Sequence, residues 1–203
     1  MCGESGLREL ALERVQNMRI IQYLRALSLS LIAALAVMGT APNANASSAA
    51  EIDAGVQDTL DDLFYQVRGA RGLVNKSAAV LVFPTVYKAG FGIGGEYGEG
   101  ALITRRRTID YYNLISASFG FQLGAQARSI VIVFTTPEAL ESFRRVDGWK
   151  VGVDGSVALI NVGVGASIDT TRIRSPIVGF IFDNKGLMYN LTLEGSKISR
   201  IYR

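Results

Sequence analysis

Residues 83–100 have the sequence FPTVYKAGFGIGGEYGEG, in which glycines alternate with Phe91, Ile93 and Tyr97 over part of the stretch. Side chains alternate between the two faces of a strand, so this period of two predicts a strand with one face nearly bare of side chains. Such a face lets a second backbone or a bulky ring approach closely. Similar segments recur near residues 118 and 160, which predicts an antiparallel sheet that curls on itself, with glycine at its corners.

The same stretch contains Gly90-x-Gly92-x-x-Gly95, which has the spelling of a dinucleotide-binding fingerprint. In a true fingerprint the chain turns from a strand into a helix, whose N-terminus meets the pyrophosphate. Here Tyr97 to Thr104 continue with strand-like residues and further glycines. The context therefore favours a glycine-rich strand over a nucleotide site.

The segments around this strand predict an α+β domain. Apolar residues at three- and four-residue spacing predict an amphipathic helix over Ser47 to Lys76. Thr136 as N-cap and Pro137 at the first position predict one short helix that ends near Arg145. The expected architecture is this N-terminal helix plus a curled, predominantly antiparallel β-sheet, barrel-like or sandwich-like, with the one short helix.

Further strands are predicted from short apolar runs bounded by turn residues. Ala79 to Phe83 and Ile130 to Phe134 are apolar enough to lie in the core. A hairpin is expected after Ile177, with its turn at Asn184 to Gly186. Ile198 to Tyr202 is expected to be an edge strand.

The N-terminal part has the pattern of an export signal. Leu24 to Met38 is largely apolar, Arg19 and Arg25 precede or open it, and Ala44-Asn45-Ala46 follows. The interpretation is a signal peptide at residues 18–46, cleaved after Ala46, with an uncleaved anchor as the alternative. Residues 1–17 are expected to be a mis-called extension, with Met18 as the true start, and residues 47–203 a single domain.

The expected location is periplasmic or secreted. The only cysteine, Cys2, lies before the apolar run and not directly after it. The sequence therefore predicts no lipid anchor, and the cleaved chain contains no cysteine that could form a disulfide.

Composition excludes most catalytic chemistry. The chain has no histidine, which removes Ser-His-Asp catalysis and every histidine-containing metal site. Thiol catalysis is also excluded for the cleaved chain, because its only cysteine, Cys2, lies before the predicted cleavage site. We therefore expect no enzyme, no catalytic residue, no metal and no cofactor. The net charge of +3 is too small to favour nucleic acid as a partner.

Basic residues are the candidate binding residues. Arg105-Arg106-Arg107 is the sharpest charge feature, and its position between two strand-like segments predicts a loop. Cations on such a loop are suited to anionic headgroups, although a solvated loop is an equally ordinary interpretation. A second basic group lies near Trp149, whose ring would suit a membrane interface or the core. The predicted lipid-binding residues are Arg68, Arg71, Lys76, Lys88, Arg105, Arg106, Arg107, Arg144, Arg145, Trp149 and Lys150.

Four blocks of the sequence resemble the SYLF domain family. They are residues 83–100, then GFQLGAQ at 120–126, VIVFTT at 131–136, and the segment from Gly186 to Ser196. The resemblance covers about Val56 to Ile201. Asp110 to Ile115 stand where relatives commonly have Trp-Ser-x-Pro, and Gly179 to Phe182 replace a serine- and tyrosine-rich segment.

This resemblance implies binding of phosphoinositides or other anionic lipids, and actin binding in the yeast members. Actin is not expected as the partner of an exported protein. The first hypothesis is therefore a non-enzymatic domain that binds a membrane surface in the bacterial envelope. The alternative is an envelope protein that binds a protein partner through its glycine-rich sheet. A third is a carboxylate-dependent hydrolase that uses Glu96 or Glu99.

Overall fold

The computed structural model describes residues 47–105, 107–162, 173–186, 193 and 195–203, together with residue 22; for residues 91–93 and 118–123 it describes the backbone alone. The chain divides into two compact units, Met1–Ala46 and Ser47–Arg203, and the second is described here. The predicted extension and signal peptide lie outside the described residues. In the described part of the chain, no helix combines the length and apolar character needed to span a membrane.

Helix α1, Ala49–Gln66, begins at a capping box. The Ser48 hydroxyl accepts the Glu51 N–H at 3.3 Å, while the Glu51 carboxylate accepts the Ser48 N–H at 2.7 Å, so two unpaired donors of the first turn are satisfied. The apolar residues recur at helical spacing and are buried, as the sequence predicts: Ile52, Val56, Leu60 and Leu63.

The single helix predicted to Lys76 is wrong, because the helix breaks at Val67 to Gly69. Val67 has extended backbone angles, and Gly69 has a φ of 95°, a conformation that glycine adopts without strain. A second helix, α2, then spans Ala70–Lys76. Leu73 of α2 lies in the core that α1 also covers.

Two long strands form the centre of the sheet. Strand β1, Ala79–Thr104, pairs antiparallel with β2, Arg107–Phe134, along their whole length. The shorter segments predicted here are thus parts of two strands, interrupted by register shifts at Phe83/Val86, Phe91/Ile93 and Leu102/Ile103. Bulges of this kind bend a strand without ending it. Arg105, with a φ of 47°, lies in the turn between the strands.

The predicted bare face lets β1 fold back on itself. A Cβ atom added to Gly100 would lie 2.1 Å from the carbonyl oxygen of Val82. One added to Gly98 would lie 2.7 Å from a methyl group of Val86. The two ends of β1 therefore pack backbone against backbone, and a side chain at Gly100 would prevent this.

The remaining elements are α3 (Pro137–Arg145), β3 (Trp149–Lys150), β4 (Ala158–Asn161), β5 (Ile177–Gly186) and β6 (Lys197–Ile201). Among the described residues, the sheet has six strands in the order β3-β6-β2-β5-β4, with β1 paired to β2. The pairs are antiparallel except β4 with β5. The curled, mostly antiparallel α+β architecture is confirmed.

Two local predictions are wrong. Asn184 to Gly186 do not form a turn, because β5 continues through them and Lys185 pairs with Ala127. The last strand is not an edge along its full length, since Ile198 pairs with Leu114 on one side and Trp149 on the other. Both errors concern pairing between distant segments, which a local pattern does not contain.

The sheet is covered on both faces. Val80, Val82 and Val131 pack with α1 and α2. Leu81, Phe83 and Ile132 pack with Phe143 of α3 and Trp149. Neighbouring residues of one strand thus enter opposite cores, which explains why these strands are continuous apolar runs. The short helix and its Thr136 cap are confirmed, with the hydroxyl accepting the Ala139 N–H at 3.2 Å.

Candidate functional site

The turn between β1 and β2 lies beside the two N-terminal helices. A groove of about 400 Å³ separates these elements, and we call it the tip groove. Its walls combine apolar side chains with amides and charges, and Arg105 lies at one end. The lining residues are Gln57, Leu60, Asp61, Phe64, Val74, Asn75, Ser77, Ala78, Ala79, Val80, Ile103 and Arg105.

Three of the predicted basic residues gather at the tip groove. Arg105 lines it. The guanidinium of Arg71 lies 4.3 Å from the ring centre of Phe64, a cation–π contact on the groove wall. Lys76 lies between two lining residues, Asn75 and Ser77. All three are exposed, and none of them has an ion-pair partner within the described ranges.

Arg107 lies beside a second, more open groove of about 520 Å³, lined also by Asp53, Gln57, Thr108, Ile109 and Tyr111. Gln57 of α1 lines both grooves. Asp53 is already engaged, because it accepts hydrogen bonds from Thr108 at 2.7 Å and Tyr111 at 3.0 Å. Burial, and then the bond to Asp53, raises the pKa of Tyr111. Arg106 lies outside the described residues.

Two aromatic and basic features extend this surface. Arg68 is exposed in the break between α1 and α2. Tyr65, near the end of α1, is 91% exposed. A tyrosine among cations is typical of side chains at a membrane–water interface. The sequence analysis missed Tyr65, although the apolar spacing of α1 places it away from the buried stripe.

Two predicted residues are corrected, because both are buried. The side chain of Lys88 is 2% exposed and its ammonium lies 2.9 Å from Glu96. Trp149 is 1% exposed and packs edge-on against Phe143, with ring centres 5.5 Å apart. Neither can meet a membrane surface, so the core alternative holds for Trp149.

The second predicted basic group is Arg144, Arg145 and Lys150, and two of its members face carboxylates of their own protein. Arg144 donates to the buried Asp110 at 3.0 Å, and Arg200, which the sequence analysis missed, binds the other oxygen of that carboxylate. Arg145 pairs with Glu141 at 2.8 Å along α3. Lys150 is exposed, and its backbone N–H donates to Asp154 at 2.7 Å.

Inside the curled sheet lies a buried ionic cluster. Glu96 accepts from Lys88 at 2.9 Å and from Arg128 at 2.6 Å, and its side chain is 4% exposed. Removing such charges from water is costly, and close pairing offsets that cost. The even-numbered positions from 88 to 100 are all glycine except Lys88 and Glu96. Two opposite charges alone on a bare face are the signal that could have predicted this pair.

The hydrolase alternative needs two carboxylates on one face. Glu96 and Glu99 are three residues apart in a stretch without register shifts, so they point to opposite faces of β1. Glu96 is held by two cations. Glu99 accepts from Tyr97 at 2.5 Å and from the Ser47 N–H at 3.0 Å, and it pairs with Arg203. Neither carboxylate is arranged to take a proton from a substrate.

Metal binding has no support in the described part of the chain, where no group of three or more histidine, cysteine, aspartate or glutamate side chains is placed to hold an ion. The pairs formed by Glu96, Glu99 and Asp110 are with cations of the protein itself. Exposed guanidinium and ammonium groups lie around the two grooves.

Comparison with known proteins gives a family match over the C-terminal part of the chain. No curated protein matches the chain by sequence. The glycine-rich block at residues 83–100 lies before the part that a family model matches, whereas the blocks at 120–126, 131–136 and 186–196 lie within it. The model described as Ysc84, Las17-binding protein actin regulator, matches residues 115–201, which confirms the resemblance to the SYLF domain family, a family of binding domains.

Proposed function

We propose that this domain binds anionic lipid headgroups at a membrane surface, without catalysis, through the tip of the β1–β2 hairpin and the adjoining helices. The observation that carries the proposal is the set of cations around the tip groove, Arg71, Lys76 and Arg105, which are exposed and lack carboxylate partners in the described part of the chain. Near a negatively charged membrane, each such residue contributes about 1 kcal/mol of attraction.

One of the two carboxylates that line the grooves is already engaged, whereas the two lining arginines are not. The charged lining residues are Arg105 and Arg107, with Asp53 and Asp61. Asp53 accepts hydrogen bonds from two hydroxyl groups, whereas neither arginine has an ion-pair partner among the described residues. Each guanidinium therefore presents a planar fork that suits a phosphate.

Exposed apolar groups supply the second requirement of a membrane surface. Tyr65 lies on α1 close to Arg68, and Ile109, beside Arg107, is 41% exposed. Such side chains enter the headgroup layer while the cations remain at its charged boundary. The signal-peptide pattern supports an exported, envelope location for this binding.

Vesicle co-sedimentation tests the proposal. The processed protein is mixed with phosphatidylcholine vesicles and with vesicles that also contain phosphatidylglycerol. We expect sedimentation with the anionic vesicles at low salt, and little with the neutral ones. Salt should weaken it, because screening acts over about 10 Å at 0.1 M ionic strength.

Absence of binding to anionic vesicles at low salt would refute the proposal. Equal binding to neutral vesicles would show that the cations are not responsible. A pull-down from a lipid-free envelope extract that retains one defined protein through the sheet would instead favour the protein-partner alternative.

A further inference from the structure

A cluster outside the proposed binding surface joins the beginning of the described domain to β1. The backbone N–H of Ser47 donates to one carboxylate oxygen of Glu99 at 3.0 Å. The other oxygen accepts from the Tyr97 hydroxyl at 2.5 Å and pairs with Arg203. The Glu99 side chain is only 6% exposed, so its charge depends on these donors and not on water.

Ser47 is also the residue that follows the predicted cleavage site. We propose that Glu99 is the receptor for the processed N-terminus of this chain, and that cleavage after Ala46 creates an ion pair between the α-ammonium group of Ser47 and the Glu99 carboxylate. The inference rests on the predicted cleavage and is independent of lipid binding.

The chemistry of processing supplies the charge. Hydrolysis of the Ala46–Ser47 peptide bond consumes one water and leaves a carboxylate on Ala46 and an amine on Ser47. An α-amino group ordinarily has a pKa of about 7.7–8.0 and is mostly protonated at neutral pH. A single N–H donor that already bonds Glu99 is thereby replaced by a cation with three donors at the same nitrogen.

The position of this cation calls for a partner. Ser47 directly precedes Ser48, the N-cap of α1. A helix N-terminus carries a partial positive charge, so an unpaired ammonium there is unfavourable. The Glu51 carboxylate of the first turn is committed to the Ser48 N–H and hydroxyl. Glu99 lies on the other side, within bonding distance of the nitrogen.

The ion pair would tie helix α1 to β1 only in the processed form. Processing of the signal peptide would thus complete the folded domain as well as release it. The result to measure is the pKa of the Ser47 amine. An adjacent buried carboxylate should raise it above the ordinary range of about 7.7–8.0.

The test uses the full chain, expressed with its own signal sequence in an exporting bacterial host and purified after processing. Intact mass establishes the first residue, and the amine is titrated by NMR of nitrogen-15 serine-labelled protein. We expect Ser47 as the first residue, with an amine pKa above about 8 that returns to the ordinary range in Glu99→Gln. Glu141→Gln, which removes an exposed carboxylate on α3, should leave the pKa unchanged.

Stability provides a second measurement that remains informative if Glu99→Gln folds poorly. A raised pKa contributes stability that is fully present below the unfolded value of about 7.7–8.0 and is lost as pH rises through the folded value. The melting temperature of the processed protein should therefore fall as pH rises above about 8. Selective acetylation of the amine should remove this fall. A different first residue, an ordinary amine pKa, or an unchanged pH dependence after acetylation would each overturn the proposal.

Discussion

Two groups of cations in this domain have opposite relations to carboxylates. At the hairpin tip, Arg105, Arg107 and Lys76 are exposed and form no ion pair within the described residues. A second group of cations is bound to carboxylates whose side chains are at most 6% exposed. These bound cations are Lys88, Arg128, Arg144, Arg200 and Arg203.

This difference separates folding from binding. Removing a cation that faces a buried carboxylate leaves the carboxylate charge buried without compensation, so such a cation stabilises the fold. An exposed cation at the tip contributes little to stability and is free to attract an external anion. Arg and Lys therefore cannot be assigned to a binding surface by type alone, because their partners decide the role.

The largest effect on stability is expected at the buried cluster. Glu96→Gln should destabilise the domain by about 3–5 kcal/mol, because it removes the buried carboxylate that both Lys88 and Arg128 bind. Urea unfolding, monitored by circular dichroism, measures the free energy of unfolding. Glu141→Gln is the matched control, since that carboxylate is 73% exposed and should change stability by less than about 0.5 kcal/mol. Equal effects of the two changes would show that burial does not distinguish the groups.

An intermediate effect is expected at Asp110, whose two arginine partners are about half exposed. The side chains of Arg144 and Arg200 are 45% and 50% exposed, whereas that of Asp110 is 4% exposed. Asp110→Asn should cost about 1–2 kcal/mol, because solvent screens these charge-assisted bonds. Thermal unfolding at low and high salt measures it. A loss as large as that of Glu96→Gln would mean that exposure of the cation does not weaken the pair.

A smaller effect concerns Tyr97, which bonds the carboxylate that holds Arg203. Burial of the hydroxyl, followed by its bond to Glu99, raises the pKa of Tyr97 from 10.0 to about 12. The neutral phenol thus contributes stability that is present below about pH 10 and lost as pH rises toward 12. Glu99→Gln should lower this pKa, measured by tyrosinate absorbance at 295 nm. The pKa of Tyr111, which burial and the bond to Asp53 raise, should not change in this variant. A fall in the pKa of both tyrosines would contradict a local effect of Glu99.

Local chemistry made much of the fold predictable. The apolar spacing of α1 and the Thr136 cap of α3 are properties of neighbouring residues, and both are confirmed. The glycines of residues 83–100 indicated a curled strand, because a strand face without side chains allows a second backbone segment to pack closely against it. The family resemblance rested on the same long blocks and is confirmed over residues 115–201.

Pairing over long distances in the chain was not predictable in the same way. The sequence of Asp183 and the three residues after it suggested a turn. Asp183 does have a φ of 52°, but pairing with β2 keeps the segment in a strand. Trp149 suited an interface by composition, and the ring of Phe143 determines its burial. Lys88 counted as one more surface cation because Arg128, forty residues later in the chain, could not be placed beside Glu96 from spacing alone.

The most direct test of the central claim compares two charge-matched double variants in the anionic-vesicle assay at low salt. Arg105→Gln with Arg107→Gln should leave folding stability within about 0.5 kcal/mol and remove about 2 kcal/mol of attraction, a loss of affinity of roughly thirtyfold. Arg145→Gln with Lys150→Gln removes the same charge from exposed residues that do not line either groove, and should weaken vesicle binding by less than about threefold. Equal losses of affinity in the two variants would contradict the claim, because net charge and not the hairpin tip would then control binding.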